Sequence, residues 1–392
     1  MPRITGTYTV SRYDTEEVRA FVPLPLPPRE PPLVLDEPMS GLLSDAQNAL
    51  ARLDVASHLV PNLSWFIYAF VRKEAVVSSQ IEGTQATLMD ILTYEATQQA
   101  DAIDDVAEIC NYLDALDFAR QQLRDPAGLP LSLRLIREMH RRLMRGVRGA
   151  DKHPGEFRAS QNWIGGTRPG NARFVPPPPS QLAECLDLLE RYLHQDGELP
   201  ALIRAGLVHV QFETIHPFLD GNGRVGRLLV TLLLEHWGLL SSPLLYLSLF
   251  LKRHRDEYYA RLGAVRSEGD WEGWTRFFLE GVRTIGREAT ESATSLFARI
   301  AEDRRRLLGD KAASLSAVQL FELLPEHPLL TVSQVVKLLS TSKPTAAKAI
   351  AALESAGILT ERTGQRRDRV FSYSGYLDLL CKETDALPVS GS

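Results

Sequence analysis

His216, Asp220, Arg224 and Arg227 stand close together in the stretch His216-Pro217-Phe218-Leu219-Asp220-Gly221-Asn222-Gly223-Arg224-Val225-Gly226-Arg227. Histidine is the side chain that takes up a proton near neutral pH, and aspartate is a hard oxygen ligand of the kind that holds Mg²⁺ against phosphates. The arginines are permanently charged planar forks that match phosphate oxygens two at a time. The glycines let backbone N–H groups converge on an anion. Together these groups suit proton abstraction beside a bound nucleotide triphosphate.

Two helices must position this set. Ala201 to Ile215 carries apolar residues at helical spacing, and the apolar run from Val225 to Leu234 begins a second helix whose N-terminus faces the same anion. A loop between helices is not a dinucleotide fingerprint, which follows a strand. It is not a Walker loop either, because no Lys-Ser or Lys-Thr pair follows the glycines. The plainer reading is a capping loop in which Asp220 and Asn222 make turns and the arginines are solvated.

The stretch resembles the signature of the Fic family, H-x-F-x-[DE]-G-N-G-R-x-x-R, at every defined position. The resemblance implies a protein adenylyltransferase. His216 would deprotonate a Ser, Thr or Tyr hydroxyl of a target protein, which attacks the α-phosphate of ATP and expels pyrophosphate. Asp220 would hold Mg²⁺. The backbone from Gly221 through Asn222 and Gly223 to Arg224, the Asn222 side chain, and the adjoining Val225 and Gly226 would form the nucleotide cradle. Arg227 would reach the γ-phosphate, and Phe218 would anchor the loop in the core. Transfer of another nucleotide such as UMP, or removal of AMP by the same site, is an alternative within the same class.

Ser78-Ser79-Gln80-Ile81-Glu82-Gly83, in a largely helical run from Trp65 to Leu92, resembles the family's inhibitory motif [ST]-x-x-x-E-[GN]. Ser78 and Glu82 are four apart and would share a helix face, with Gly83 ending it. By resemblance Glu82 pairs with Arg227 and occupies the fork that the γ-phosphate needs. Gln161 to Gly166 and Ala172 to Pro179 read as two arms of a hairpin. They resemble the Fic flap, which implies that Trp163, Ile164, Gly165, Phe174 and Val175 hold a target segment by main-chain pairing. Tyr258, in Glu257-Tyr258-Tyr259, is the expected neighbour of the adenine, against the commoner fate of core packing.

The fold class expected is mainly α. It comprises a Fic/Fido helical core with a β-hairpin flap, plus a C-terminal winged helix-turn-helix domain. Residues 1–40 read as a proline-rich segment unsuited to regular structure, residues 41–125 as a helical region with the inhibitory helix, and 126–293 as the Fic core. Residues 294–310 read as a linker helix and 311–392 as the winged domain, with helices over Ser314–Leu324, Thr331–Leu339 and Lys343–Ala356 and a hairpin after Gly357. From Thr331 to Tyr373 seven residues are basic and three acidic, a modest footprint for DNA. This supports a different class of function, a DNA-binding regulator that senses nucleotide. Arg362, Arg366, Arg367 and Arg369 would then contact phosphates. The run from Ala75 to Ala119 holds nine acidic residues and no Lys or Arg, which is read as a solvated face rather than a docking site.

The chain has 392 residues, 44% of them hydrophobic, enough for two or three cored domains, and its net charge of −5 points to no polyanion partner. Leu228 to Leu251 is apolar but interrupted by Glu235, His236, Gly238 and Pro243, so two buried helices are expected and no membrane span. No signal segment is legible. Cys110, Cys185 and Cys381 are few and far apart, which suits a cytoplasmic location without disulfides. Self-modification and a homodimer are expected from the family alone.

Overall fold

The structure, a computed structural model, describes residues 3–13, 16–58, 62–99, 103–195, 197–311, 313–365 and 367–385. Arg366 of the expected basic wing and the end of the chain from residue 386 lie outside them. The chain divides into two compact units, residues 1–51 with 110–286 and residues 52–109 with 287–392.

The elements begin with a hairpin, β1 (Gly6–Tyr13) and β2 (Glu16–Pro23), antiparallel with Gly6 opposite Pro23 and Thr9 opposite Ala20. This corrects the irregular segment expected over residues 1–40. The prolines cluster from Pro23 onward, whereas the preceding residues are rich in Thr, Val, Tyr and Phe, which suit a pleated surface. Val18, Ala20 and Phe21 on β2 are buried. Arg3 ties the hairpin down through two 2.8 Å bonds to Glu272 and one of 3.0 Å to the Gly269 carbonyl.

The helices follow as α1 (Glu37–His58), α2 (Leu63–Ile81), α3 (Leu88–Thr97), α4 (Ile103–Arg124), α5 (Leu133–Leu143), α6 (Pro179–His194), α7 (Ala201–Ile215) and α8 (Asn222–His236). Next come α9 (Ser248–Arg253), α10 (Arg255–Glu268) and α11 (Trp271–Gly309). Local chemistry sets several of the starts. Ser132 accepts from Leu135 N–H at α5, Thr87 and Asp90 form a capping box at α3, and the proline run places Pro179 at the head of α6. The linker helix expected over 294–310 is the second part of α11, because buried Ala289, Ala293, Leu296 and Ile300 carry the apolar stripe through without a break.

In the first unit α7 is buried on all sides from Leu202 to Ile215, as expected of a central helix. It packs on α8, where Gly226 permits the contact: a Cβ there would lie 2.4 Å from Glu213 Oε1. Trp274 on α11 closes the other side, its indole N–H donating to the Gly206 carbonyl at 2.8 Å. Leu228 to Leu251 falls on α8, α9 and their connection, and among the described residues no helix is long and apolar enough to cross a membrane.

The second unit contains α2, α3 and the C-terminal elements α12 (Leu315–Leu323), β3 (Leu329–Thr331), α13 (Val332–Leu338), α14 (Lys343–Ser355), β4 (Thr360–Glu361), β5 (Val370–Ser372) and α15 (Ser374–Leu380). Its antiparallel sheet runs β3-β5-β4. Strand β3 and helix α15 were not foreseen. Three residues are too few to show alternation, and β3 is a strand only because Leu329 to Thr331 pair with Val370 to Ser372.

Candidate active site

Helix α7 ends at His216, whose backbone takes the left-handed conformation (φ 49°, ψ 62°) and whose N–H bonds the Phe212 carbonyl at 2.9 Å. A side chain in that region costs about 1 kcal/mol, so the surroundings must hold it there. Phe218 does so from below. It is wholly buried and stacks on the His140 ring with centroids 3.7 Å apart and planes 5° apart. His140 Nδ1 accepts from Gly155 N–H at 2.8 Å, which leaves Nε2 as the donor to the Asp220 carbonyl at 3.0 Å. Burial, with the charge of Arg224, lowers the His140 pKa to about 4, while the Asp220 carbonyl raises it. The ring therefore stays neutral in this tautomer at pH 7.

Asn222 closes the loop. Its Oδ1 accepts from Phe218 N–H at 2.9 Å and its Nδ2 donates to the Phe218 carbonyl at 2.8 Å, and the residue is 2% exposed. Both ends of the amide thus bond the loop itself, which gives this side chain a structural part beside the phosphate contact expected of it. Val225 is fully buried and Gly226 faces Glu213 and Phe212, so both serve the α7–α8 packing.

The backbone from Gly221 to Arg224 opens α8, and two arginines lie on its first turns. Gly221 caps α8 with φ 75°, and a side chain there would meet the Met144 sulfur at 2.8 Å. Arg224 and Arg227 are 1% and 3% exposed, at the positive end of a helix. Two buried cations in that position set up a potential that a polyphosphate would complement. Asp220 is half-buried and its Oδ1 accepts from Gly221 N–H at 2.6 Å, while Oδ2 lies against Gly149, where a Cβ would come within 2.6 Å. Among the described residues no cluster of three or more His, Cys, Asp or Glu could hold a metal alone. A lone carboxylate fits Mg²⁺ that brings most of its ligands as nucleotide phosphates and water.

The two arms of the expected flap meet at a bridge between Ile164 and Phe174, with N–H···O bonds of 2.8 and 3.1 Å, over a 3₁₀ turn at Pro169–Asn171. The Val175 carbonyl accepts from Phe21 N–H of β2 at 2.9 Å, and Val175 is buried with Val18 and Ala20, against which Trp163 packs. The Val175 side of this arm is thus paired and buried within the chain, which leaves no free main-chain edge at Val175 for a target. The arm of Trp163, Ile164 and Gly165 is the outer one. Arg266 sits 3.9 Å over the Phe174 ring and donates to Thr214 Oγ1 at 3.1 Å.

Tyr258 is 1% exposed, and its hydroxyl bonds His209 Nε2 at 2.9 Å beside Trp274. Its role is core packing, which corrects the adenine contact. Burial lowers the His209 pKa to about 4; Arg227 lowers it too, and the Gly226 carbonyl opposes. The folded state thus prefers neutral His209, so its contribution is full above pH 6.5 and is lost as pH falls from there towards 4. Urea unfolding should show a loss of about 2 kcal/mol from this group between about pH 7 and 5. His209→Gln should lack that loss. Equal pH slopes in the two proteins would remove the assignment.

In the second unit, α2 ends at Ile81, one residue before the expected position of Glu82 on its face. Glu82 is the exposed C-cap (φ −87°, ψ 4°), and Gly83 follows at φ +100°. Ser78 is wholly buried. Gln80, between them, donates to the carbonyls of Ala86 and Thr384, both at 2.9 Å. Sequence reasoning passed over His140, Arg158 and Asn162. No local signal marks them, since their roles come from partners 56 to 80 residues away.

Comparison with known proteins finds similarity over two segments of the chain. Residues 130–234 match the Fic/DOC family, and residues 40–121 match its N-terminal region. The chain is similar to Protein adenylyltransferase Fic of Drosophila grimshawi, 33% identical over 205 residues, which is 51% of this chain and 39% of the relative. The protein of the same description from Drosophila mojavensis is 30% identical over 257 residues, 63% of this chain and 46% of the relative. The chain therefore spans less than half the length of these curated relatives. A crystal structure of a Fic family protein from Desulfovibrio desulfuricans shares the fold, with a TM-score of 0.57 at 20% identity, covering 87% of this chain and 97% of that one.

Proposed function

We propose that this chain is a protein adenylyltransferase, moving AMP from ATP to a Ser, Thr or Tyr hydroxyl of a protein. The observation that carries the reading is the complete signature stretch laid across a helix–loop–helix, with His216 at the end of α7 and Gly221 opening α8 onto buried Arg224 and Arg227. His216 takes the hydroxyl proton, the oxygen bonds the α-phosphorus, and the α–β phosphoanhydride bond breaks to release pyrophosphate. Arg224, Arg227 and the first N–H groups of α8 bind the phosphates, with Asp220 directing Mg²⁺ that arrives with the nucleotide. A target segment adds to the outer Trp163–Gly165 arm of the flap, main chain to main chain.

Glu82, with Ser78 and Gly83, restrains the enzyme by competing for Arg227. Support for this comes from the Ser78-to-Gly83 motif and from the buried seat of Ser78. The C-terminal elements are read as a winged helix-turn-helix whose exposed Lys343, Lys348, Arg362 and Arg369 offer a docking face for protein or DNA. Three free cysteines are in keeping with a cytoplasmic location.

The test is transfer of labelled AMP from ATP and Mg²⁺, scored by intact mass on the protein itself and on lysate proteins. Glu82→Gly should raise the rate by about ten- to a hundredfold, a range typical of a regulatory coupling. Equal rates in wild type and Glu82→Gly would end the autoinhibitory reading. Absence of transfer from either, with ATP bound, would favour the nucleotide-sensing regulator, and transfer from UTP but not ATP would reassign the donor.

A further inference from the structure

Arg158 is buried to 4% exposure in the loop after α5, and its bonds converge on two separate parts of the site. Its main-chain N–H donates to the Pro217 carbonyl at 2.9 Å and its Nε to the His216 carbonyl at 2.9 Å. One terminal nitrogen reaches the Ser160 carbonyl at 3.2 Å. The other reaches the Pro177 carbonyl at 2.6 Å and the Ile215 carbonyl at 3.4 Å. Ser160 and Pro177 are the roots of the two flap arms, and residues 215–217 are the turn that carries the histidine.

A planar fork with five donors can serve this many carbonyls at once, whereas an ammonium group offers three donors on one nitrogen. The bond to the His216 carbonyl acts on the peptide whose plane sets ψ in the left-handed conformation, so it bears directly on where the imidazole points. Burial pushes the Arg158 pKa down to about 10, which leaves it charged at neutral pH and its bonds charge-assisted.

We infer that Arg158 is a positioning residue that locks the flap to the His216 turn, so that a hydroxyl presented on the flap arrives in register with the base. This rests on the adenylyltransferase reading for its catalytic consequence, but the mechanical coupling stands apart from it. Register of this kind matters because displacements of about 1 Å between reacting groups cost about a hundredfold in rate.

The experiment uses the full chain with Glu82→Gly as parent and Arg158→Lys and Arg158→Met added to it. The maximal rate of AMP transfer should fall about a hundredfold, while the Kd of a non-hydrolysable ATP analogue stays within about twofold. Hydrogen exchange should rise together in residues 160–177 and 213–218. Added guanidinium should restore the rate of Arg158→Gly, a rescue that lost global stability would not give. Unchanged rates in the Lys and Met variants would overturn the inference, as would exchange rising in one segment alone. If Arg158→Met fails to fold, the Lys variant and the guanidinium rescue decide. A parent that transfers nothing would count against the adenylyltransferase reading, and the exchange measurement would still decide the coupling.

Discussion

Replacing His216 by Ala in the Glu82→Gly background is expected to lower AMP transfer by about a thousandfold, within the range that a positioned general base contributes. On the proposed reading the nucleotide should still bind, because the groups assigned to the phosphates are the Gly221–Arg224 backbone and two arginines rather than the imidazole. His216 is half-buried, and the turn around it is held by Arg158, Phe218 and Asn222 through backbone atoms and packing, so truncating the ring should leave the loop in place. Single-turnover transfer and nucleotide titration on the same preparation separate these effects. Retention of more than about a tenth of the parent rate would mean that another group takes the proton.

Asn222→Ala should destabilise the protein by about 1–3 kcal/mol, because it leaves the N–H of buried Phe218 without its side-chain partner, while the carbonyl keeps the bond from Asn162. The effect should be present without nucleotide, as expected of a residue that locks the loop. A phosphate-cradling side chain would show the opposite pattern, with normal stability in the free protein and a loss only in ATP affinity. Urea unfolding with and without ATP distinguishes the two.

The flap shows how a family pattern and a particular chain can diverge. Both arms were expected to meet a target, yet β2 takes the Val175 edge through Phe21, and the buried Val18, Ala20 and Val175 seal that side. Thr7, Val10, Val18 and Val22 were available in the sequence as a strand signal, but the prolines from Pro23 onward outweighed them in a reading by composition. The pairing of the hairpin with residue 175 is a long-range event, and two eight-residue strands have no periodicity strong enough to announce that partner.

The sequence by itself determined the candidate site and its helical setting. The set from His216 to Arg227 is contiguous, and helices α7 and α8 carry their apolar spacing and end signals locally, so neither needed a distant partner to be read. Tertiary structure alone decided which of those residues turn into the core. Asn222 turned inward to Phe218, Tyr258 to His209, and Val225 and Gly226 to α7, because burial depends on which elements pack and not on residue type. It also decided what holds the histidine. His140 and Arg158 act through carbonyls 80 and 58 residues away, and a backbone carbonyl, common to every residue, leaves no mark in a sequence to be read.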